Sequence, residues 1–404
     1  MNATANSIGN WLPPKDARIA VAMSGGVDSS VVAYLLAKAG YNIVGFTAWT
    51  LNGPGKCCND ALVNAGRVCE TLGIDYDTVD LRAEFSHYVM DYYHQSYEAG
   101  LTPNPCVECN RYVKWEKLLD YAGKSLGADY MATGHYAQLT HHQNITRVFR
   151  SVDEHKDQTY MMARVYPGDL SRTTFPLGGM TKPEVVALAK EVDLPTAYSK
   201  ESQDICFVLD GHANYMQSVF GKRPGPIVDI DTGKTLAEHD GVFNFTVGQR
   251  KGVKVAAGRP IYVIKTNPKT NTVYVGDSEH LTSSHFRVVS PHWIAAGLPE
   301  RLQEALQRGE SVQAMIKIRY NTPAALGSIE LDPERNSFGE DSLLVSMQVP
   351  FSAVTPGQIA AFYDEDYQEL WGGGYIETHI TQEQFDPNNP AHASKALPNL
   401  FCQV

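Results

Sequence analysis

Six consecutive residues, Ser24-Gly25-Gly26-Val27-Asp28-Ser29, bring together two glycines, two hydroxyls and a carboxylate. Adjacent glycines let the main chain approach a ligand closely. Where such a loop opens a helix, free amide groups and the helix dipole attract an anion, and phosphate is the natural occupant. Ser24 and Ser29 add donors, Asp28 could cap the helix or hold magnesium, and the lysine of a Walker loop is missing. A second constellation is Thr102-Pro-Asn-Pro-Cys106-Val-Glu-Cys109-Asn110, two thiols three residues apart in a proline-stiffened loop just before a predicted helix. The dipole of that helix would lower a thiol pKa and make it reactive near neutral pH. Buried small hydrophobes or half of a zinc site are the alternatives, but no second Cys-x-x-Cys and no suitably spaced His pair completes a zinc quartet. Cys206, in Ser202-Gln-Asp-Ile-Cys206-Phe207, is a distant third thiol. By itself it decides little, since a core thiol reads the same way.

The elements that must position these groups follow from hydrophobic periodicity. Arg18 to Met23 reads as a strand and Ser30 to Ala39 as a helix ending at Gly40, which places the glycine loop between them. Further strands are expected at Ile43 to Trp49, Tyr76 to Asp80 and Tyr130 to Thr133, with helices at Asp60 to Leu72 and Arg111 to Leu126. The fold class is therefore α/β, a doubly wound parallel sheet with ligands at the strand carboxyl ends. Beyond Tyr215 short strands separated by Gly, Pro, Asn and Asp dominate: Ile261 to Lys265, Thr272 to Val275, Phe286 to Ser290, Val312 to Tyr320, Ser342 to Gln348 and Ile359 to Tyr363. The helix-prone Leu298 to Arg308 interrupts them. The expected division is a disordered N-terminus over 1–16, a catalytic domain over 17–212, a small central β domain over 213–285, a C-terminal β-barrel-like domain over 286–384, and a disordered tail over 385–404.

A chain of 404 residues, 43% hydrophobic and 20% charged, suits a multidomain globular protein. No run nears the roughly 18 apolar residues of a membrane span. The polar Met1 to Pro14 has no apolar stretch of signal-peptide length, so the cytoplasm is the default compartment. Seven cysteines argue for reduced thiols over a disulfide framework. A net charge of −11 excludes a generally basic surface, so any nucleic-acid face must be local. Arg250, Lys251, Lys254, Arg259 and Lys265 lie in a stretch without acids, and Lys317, Arg319 and Tyr320 form a basic-aromatic cluster; for each, a solvated face is as good a reading as RNA contact.

The loop alone resembles the signature of the ATP pyrophosphatases and does not choose among them. With Ala132-Thr-Gly-His-Tyr136, Lys156-Asp-Gln-Thr-Tyr160, Phe175-Pro-Leu-Gly178, Glu201-Ser-Gln-Asp-Ile-Cys206, Phe245-Thr-Val-Gly-Gln-Arg-Lys-Gly252 and Thr355-Pro-Gly-Gln358, the sequence resembles the tRNA 2-thiouridylase family from Arg18 to about Tyr375. The resemblance implies that ATP, with Mg2+, adenylates the 2-oxygen of the wobble uridine in lysine, glutamate and glutamine tRNAs, and that sulfur then displaces AMP. It implies a persulfide on Cys206, supplied by a cysteine desulfurase or its relay proteins, and sulfur release by Cys109. Ala22, Met23, Ser24, Gly25, Gly26, Val27, Asp28, Ser29, Ala48 and Gly134 fall at the family's ATP positions. Asn104, Pro105, Cys106, His135, Lys156, Asp157, Gln158, Arg319, Tyr320 and Gln358 fall at its tRNA positions.

Two departures stand out. Cys106 replaces an aspartate common in the family, and an unperturbed thiol, with a pKa near about 8.5, substitutes poorly for a carboxyl near about 3.9. Ala48 replaces a larger residue often found against the adenine. Cys57, Cys58 and Cys69 have no role derivable from sequence. A [4Fe-4S] cluster on Cys106, Cys109 and Cys206 is the alternative sulfur carrier, the persulfide being favoured. A tRNA-binding module with a vestigial loop and an amidotransferase-type synthetase are the other readings; the intact loop and thiols oppose the first, and no ammonia source is visible for the second.

Overall fold

A computed structural model describes residues 11–51, 59–199, 205–256, 258–332 and 342–380. Cys57, Cys58, Glu201 to Asp204 and the tail 385–404 lie outside the described residues. So does most of segment 1–16; of the rest, Trp11 donates its amide to Leu139 O at 3.0 Å and Pro13 O accepts from the Tyr41 hydroxyl at 2.8 Å.

In chain order, β1 (Arg18–Ala22), α1 (Val27–Lys38), β2 (Asn42–Trp49), α2 (Asn59–Leu72) and β3 (Asp75–Asp80) alternate as expected. They are followed by β4 (Tyr130–Ala132), the hairpin β5 (Ala137–His142) and β6 (Ile145–Arg150), and β7 (Thr173–Thr174). The sheet runs β3-β2-β1-β4-β7 with every pairing parallel. Ile19, Ala20 and Val21 are fully buried, as a central strand covered on both faces requires.

Two helical stretches lie beside this sheet: α3 (residues 82–98) and α4 (residues 105–124). Each contains a wide π-type segment, Ser86–Asp91 in the first and Cys109–Leu118 in the second. The α4 helix starts six residues earlier than the periodicity indicates. Asn104 is its N-cap, accepting from the Val107 amide, and Pro105 occupies the first turn. Pro-Asn-Pro is thus a helix start, and Cys109 lies inside the helix. Val107, Val113, Trp115, Leu118 and Leu119 are buried, and the Trp115 indole donates to Thr173 Oγ1 at 3.0 Å, fastening α4 to β7.

Next come α5 (Lys182–Glu191), opened by a Thr181/Glu184 capping box, and α6 (His212–Phe220). The central strands β8 (Gly225–Asp229), β9 (Thr235–His239), β10 (Tyr262–Asn267) and β11 (Thr272–Gly276) form a sheet ordered β10-β11-β8-β9 around Ile227, Val263, Val273 and Val275. Then β12 (Thr282–Trp293), α7 (Leu298–Arg308), β13 (Val312–Lys317), β14 (Ala325–Leu331), β15 (Ser342–Ser352), β16 (Ile359–Tyr363) and β17 (Glu369–Ile380) complete the chain. Their order is β12-β15-β14-β13-β16-β17, and pairing of β12 with β17 closes a six-stranded antiparallel barrel. Leu298, Leu302 and Ala305 bury one stripe of α7 in the barrel core.

The β5–β6 hairpin pairs with the barrel, Phe149 opposite Glu369 and Val148 opposite Leu370, and Arg147 clamps Glu369 with bonds of 2.7 and 2.6 Å. The N-terminal half therefore contributes two strands to the C-terminal sheet.

Candidate active site

The phosphate loop leaves β1 after Ala22, where the Met23 amide still bonds Phe46 O at 2.8 Å. Gly25 has φ +71°, and a β-carbon there would stand 2.5 Å from Ala61 Cα, so the turn admits only glycine. Gly26 is the N-cap of α1, and Ser30 Oγ returns to its carbonyl at 2.8 Å. Ser29 Oγ accepts from the Ser24 amide at 3.1 Å, folding the loop back on itself. Gly134 closes the far side: a β-carbon there would lie 2.9 Å from the Ser29 amide. Ala48, next to last in β2, sits partly buried opposite Val79.

Asp28 does not cap α1. Its carboxylate accepts from the Tyr136 hydroxyl at 2.9 Å and from the Lys182 ammonium at 2.8 Å on both oxygens. The lysine missing from the loop sequence thus arrives from α5. Lys182 also lines a cavity of about 380 Å³ with Val27, Lys156, Lys190 and Tyr198, an electropositive space beside the loop. Among the described residues no three His, Cys, Asp or Glu side chains are grouped to hold a metal ion. Among the described residues Cys106, Cys109 and Cys206 form no such group either.

Cys106 is exposed and Cys109 partly buried on α4. Burial pushes the Cys109 thiol up to about 11, with the nearby Lys114 opposing and Cys106 reinforcing the rise. The expected lowering by a helix N-terminus fails for Cys109, which lies a full turn inside the helix and whose burial raises the thiol. Cys206 is exposed, and the next residue, Phe207, anchors it by packing edge-to-face on Phe85 and Tyr93 of α3 at 5.9 and 5.2 Å. Cys69 is buried against β2, its thiol raised to about 11 by burial, and it is a core residue.

Several residues at expected RNA positions are struts. Gln358 Nε2 donates to Thr102 O and Pro103 O at 3.0 and 3.2 Å, and the Thr102 amide bonds Pro356 O at 2.8 Å, so the barrel grips the segment leading to Asn104 and Cys106. Arg319 donates to Val247 O and Ala353 O, each at 3.0 Å, and to Thr355 Oγ1. Asp157 is buried and accepts from the Ser151 amide at 2.9 Å and Thr159 Oγ1 at 2.6 Å. Gln158 Oε1 accepts from the Tyr136 amide at 2.9 Å and so steadies Gly134 and His135. Tyr320 is partly buried, with the Lys317 ammonium 5.6 Å from its ring centroid. Lys251 is exposed, as are Arg250 and Lys254, but Arg259 pairs with Asp229 and Asp277. The acid-free stretch is therefore partly neutralised by other strands. Periodicity gave no sign of Lys182, Tyr136 or the buried pair Glu108–Arg164, whose partners are distant in sequence.

Three family models match in succession: the tRNA methyl transferase HUP domain over residues 17–210, the tRNA methyl transferase PRC-barrel domain over 213–277 and the aminomethyltransferase beta-barrel domain over 283–376. A tRNA-specific 2-thiouridylase MnmA of a Synechococcus species is 39% identical over 368 residues, 89% of this chain and 97% of the relative. That of a Picosynechococcus species is 39% identical over 366 residues, 89% and 98%. Among solved structures, the U34-tRNA thiolase NcsA of Methanococcus maripaludis with its [4Fe-4S] cluster covers 51% of this chain and 65% of its own at 21% identity and TM-score 0.33, too distant a likeness to speak to sulfur chemistry. The relatives are matched along nearly their whole length, and this chain belongs to the tRNA-specific 2-thiouridylase (MnmA) family.

Proposed function

We propose that this enzyme makes 2-thiouridine at the wobble position of tRNA in two stages. In the first, the Ser24 to Ser29 loop holds the ATP phosphates, and the uridine 2-oxygen attacks the α-phosphorus, expelling pyrophosphate. In the second, a persulfide on Cys206 attacks C2 through its outer sulfur and AMP leaves, so that Cys206 is joined to the base through two sulfurs. The Cys109 thiolate then attacks Cys206 Sγ; the S–S bond to the outer sulfur breaks, a Cys109–Cys206 disulfide forms, and the electron pair leaves on the sulfur that stays on the base as 2-thiouridine. An external thiol reopens the disulfide. The observation that carries this reading is a glycine-lined anion loop together with two thiols, Cys109 on α4 and Cys206 in a turn whose Phe207 packs on α3.

The substrates are lysine, glutamate and glutamine tRNAs, magnesium enters with ATP, a cysteine desulfurase or relay protein loads Cys206, and the reaction runs in the cytoplasm. Among the described residues no helix is long and apolar enough to cross a membrane. The working units are 17–212 for catalysis and 213–285 and 286–384 for gripping tRNA. Because the total charge is negative, binding rests on local cations. Affinity should fall with salt, and Lys251→Ala should reduce the slope of log affinity against log salt by about one. Arg319→Ala should leave that slope unchanged, because its guanidinium bonds main-chain carbonyls. A salt-independent affinity would refute this.

The test combines the purified chain, unmodified tRNA, ATP and a persulfide donor, with AMP and 2-thiouridine both quantified. They should appear in equal amounts. In Gly25→Ala the displaced loop should slow both by about 10²-fold or more, with tRNA affinity retained; a variant as fast as wild type would show that the loop does not serve ATP.

A further inference from the structure

The helix α4 carries another chemical group beside its thiols. Between Cys109 and Leu118 it is wound with i→i+5 hydrogen bonds, so Lys114 stands one wide turn beyond Cys109. Its Nζ lies 3.4 Å from Nε2 of His135, whose Nδ1 is 2.8 Å from Thr133 Oγ1. An ammonium has no lone pair, so Nε2 is the acceptor in that contact; the ring proton then sits on Nδ1 and is donated to Thr133. His135 is thus a neutral imidazole, and burial together with the Lys114 charge holds its pKa well below the ordinary value. It orients the ammonium without cancelling its charge. The carboxylates on the same helix are engaged elsewhere: Glu108 faces Arg164 at 3.5 Å, Glu116 bonds Lys117 at 2.6 Å and Asp120 pairs with Lys124 at 2.9 Å. His135 follows Gly134, which lies against the phosphate loop, so Lys114 reaches from the thiol-bearing helix to the segment that borders that loop.

We infer that Lys114, oriented by neutral His135, is the counter-charge for the thiolate formed at Cys109. The inference rests on the two-thiol reading above. Burial raises the Cys109 thiol, so little of it is ionised near neutral pH. Cys106 on its own helix makes ionisation harder, and Lys114 is the cation that draws the thiol the other way. Alkylation and sulfur displacement both require the thiolate, so both should rise with pH and begin at higher pH once the charge is removed.

The experiment needs neither ATP nor tRNA. The full chain is alkylated with iodoacetamide between pH 6 and 10, and modification of Cys109 and Cys206 is followed separately by peptide mass spectrometry. Lys114→Gln should move the Cys109 profile up by about one pH unit, a roughly tenfold slower reaction at pH 8, while Cys206 keeps its profile. Lys114→Arg should restore Cys109 to within about twofold. An unmoved Cys109 profile in Lys114→Gln, or equal displacement in the glutamine and arginine variants, would overturn the assignment, the latter by showing that shape and not charge matters. A normal Lys114 effect in an enzyme that makes no 2-thiouridine would instead count against the proposed function alone.

Discussion

Cys206→Ser should abolish 2-thiouridine formation, by about 10³-fold or more, while pyrophosphate release from ATP continues. The phosphate loop and the thiols stand on different elements, the loop between β1 and α1 and Cys206 just before Phe207. Serine preserves the size of the side chain and leaves the Phe207 anchor intact, so a loss would report lost sulfur chemistry. Cys109→Ser should be as defective in product, yet differ in what accumulates. Cys206 can still displace AMP, so an enzyme–tRNA species joined through two sulfurs should build up and be visible on a gel run without reductant. Adding dithiothreitol should release 2-thiouridine from it. Cys106→Asp should remain active, since Cys106 is exposed and the displacement needs only the other two thiols. A Cys109 variant that turns over at the wild-type rate, or loss of pyrophosphate release in all three variants, would defeat this division of labour.

The parts of the fold readable in advance are those set by local pattern. Ile19 to Ala22 is apolar because both faces of a central parallel strand are covered, and the glycine loop follows because β1 must turn into α1 there. A C-terminal barrel is readable from its run of short strands, but its strand order and its closure through β12 and β17 are not, since they depend on pairing between distant segments. The β5–β6 hairpin was missed, having no glycine at its turn; Gln143 and Asn144 take positive φ there instead. At the site, identity was easier to read than role. Asp157 and Gln358 fall at the family's tRNA positions in sequence, but one is buried in a turn and the other fastens the segment before Asn104. Asp28 and Lys182 lie 154 residues apart, and nothing local to either foretells their pairing.

That dependence on distant partners gives the second large effect, at Arg164. Its guanidinium faces Glu108 with Nε 3.5 Å from Oε1, donates to Ser290 O at 2.9 Å, and lies 4.0 Å from the centroid of the Tyr375 ring. Ser290 and Tyr375 belong to barrel strands β12 and β17, whereas Glu108 sits on α4 between Cys106 and Cys109. Glu108 is 2% and Arg164 4% exposed, so neither can turn to water if the other is lost. Arg164→Met should therefore destabilise the fold by about 3–5 kcal/mol, chiefly the cost of an uncompensated buried carboxylate. Glu108→Gln combined with Arg164→Met removes both charges and should recover at least about half of that loss. Urea unfolding should be followed with separate probes in the barrel and near α4, because a multidomain chain need not unfold in one step. If Arg164→Met costs less than about 1 kcal/mol, the pair does not hold α4 against the barrel. If the double variant is as unstable as the single one, the loss comes from the Ser290 and Tyr375 contacts and not from stranded charge.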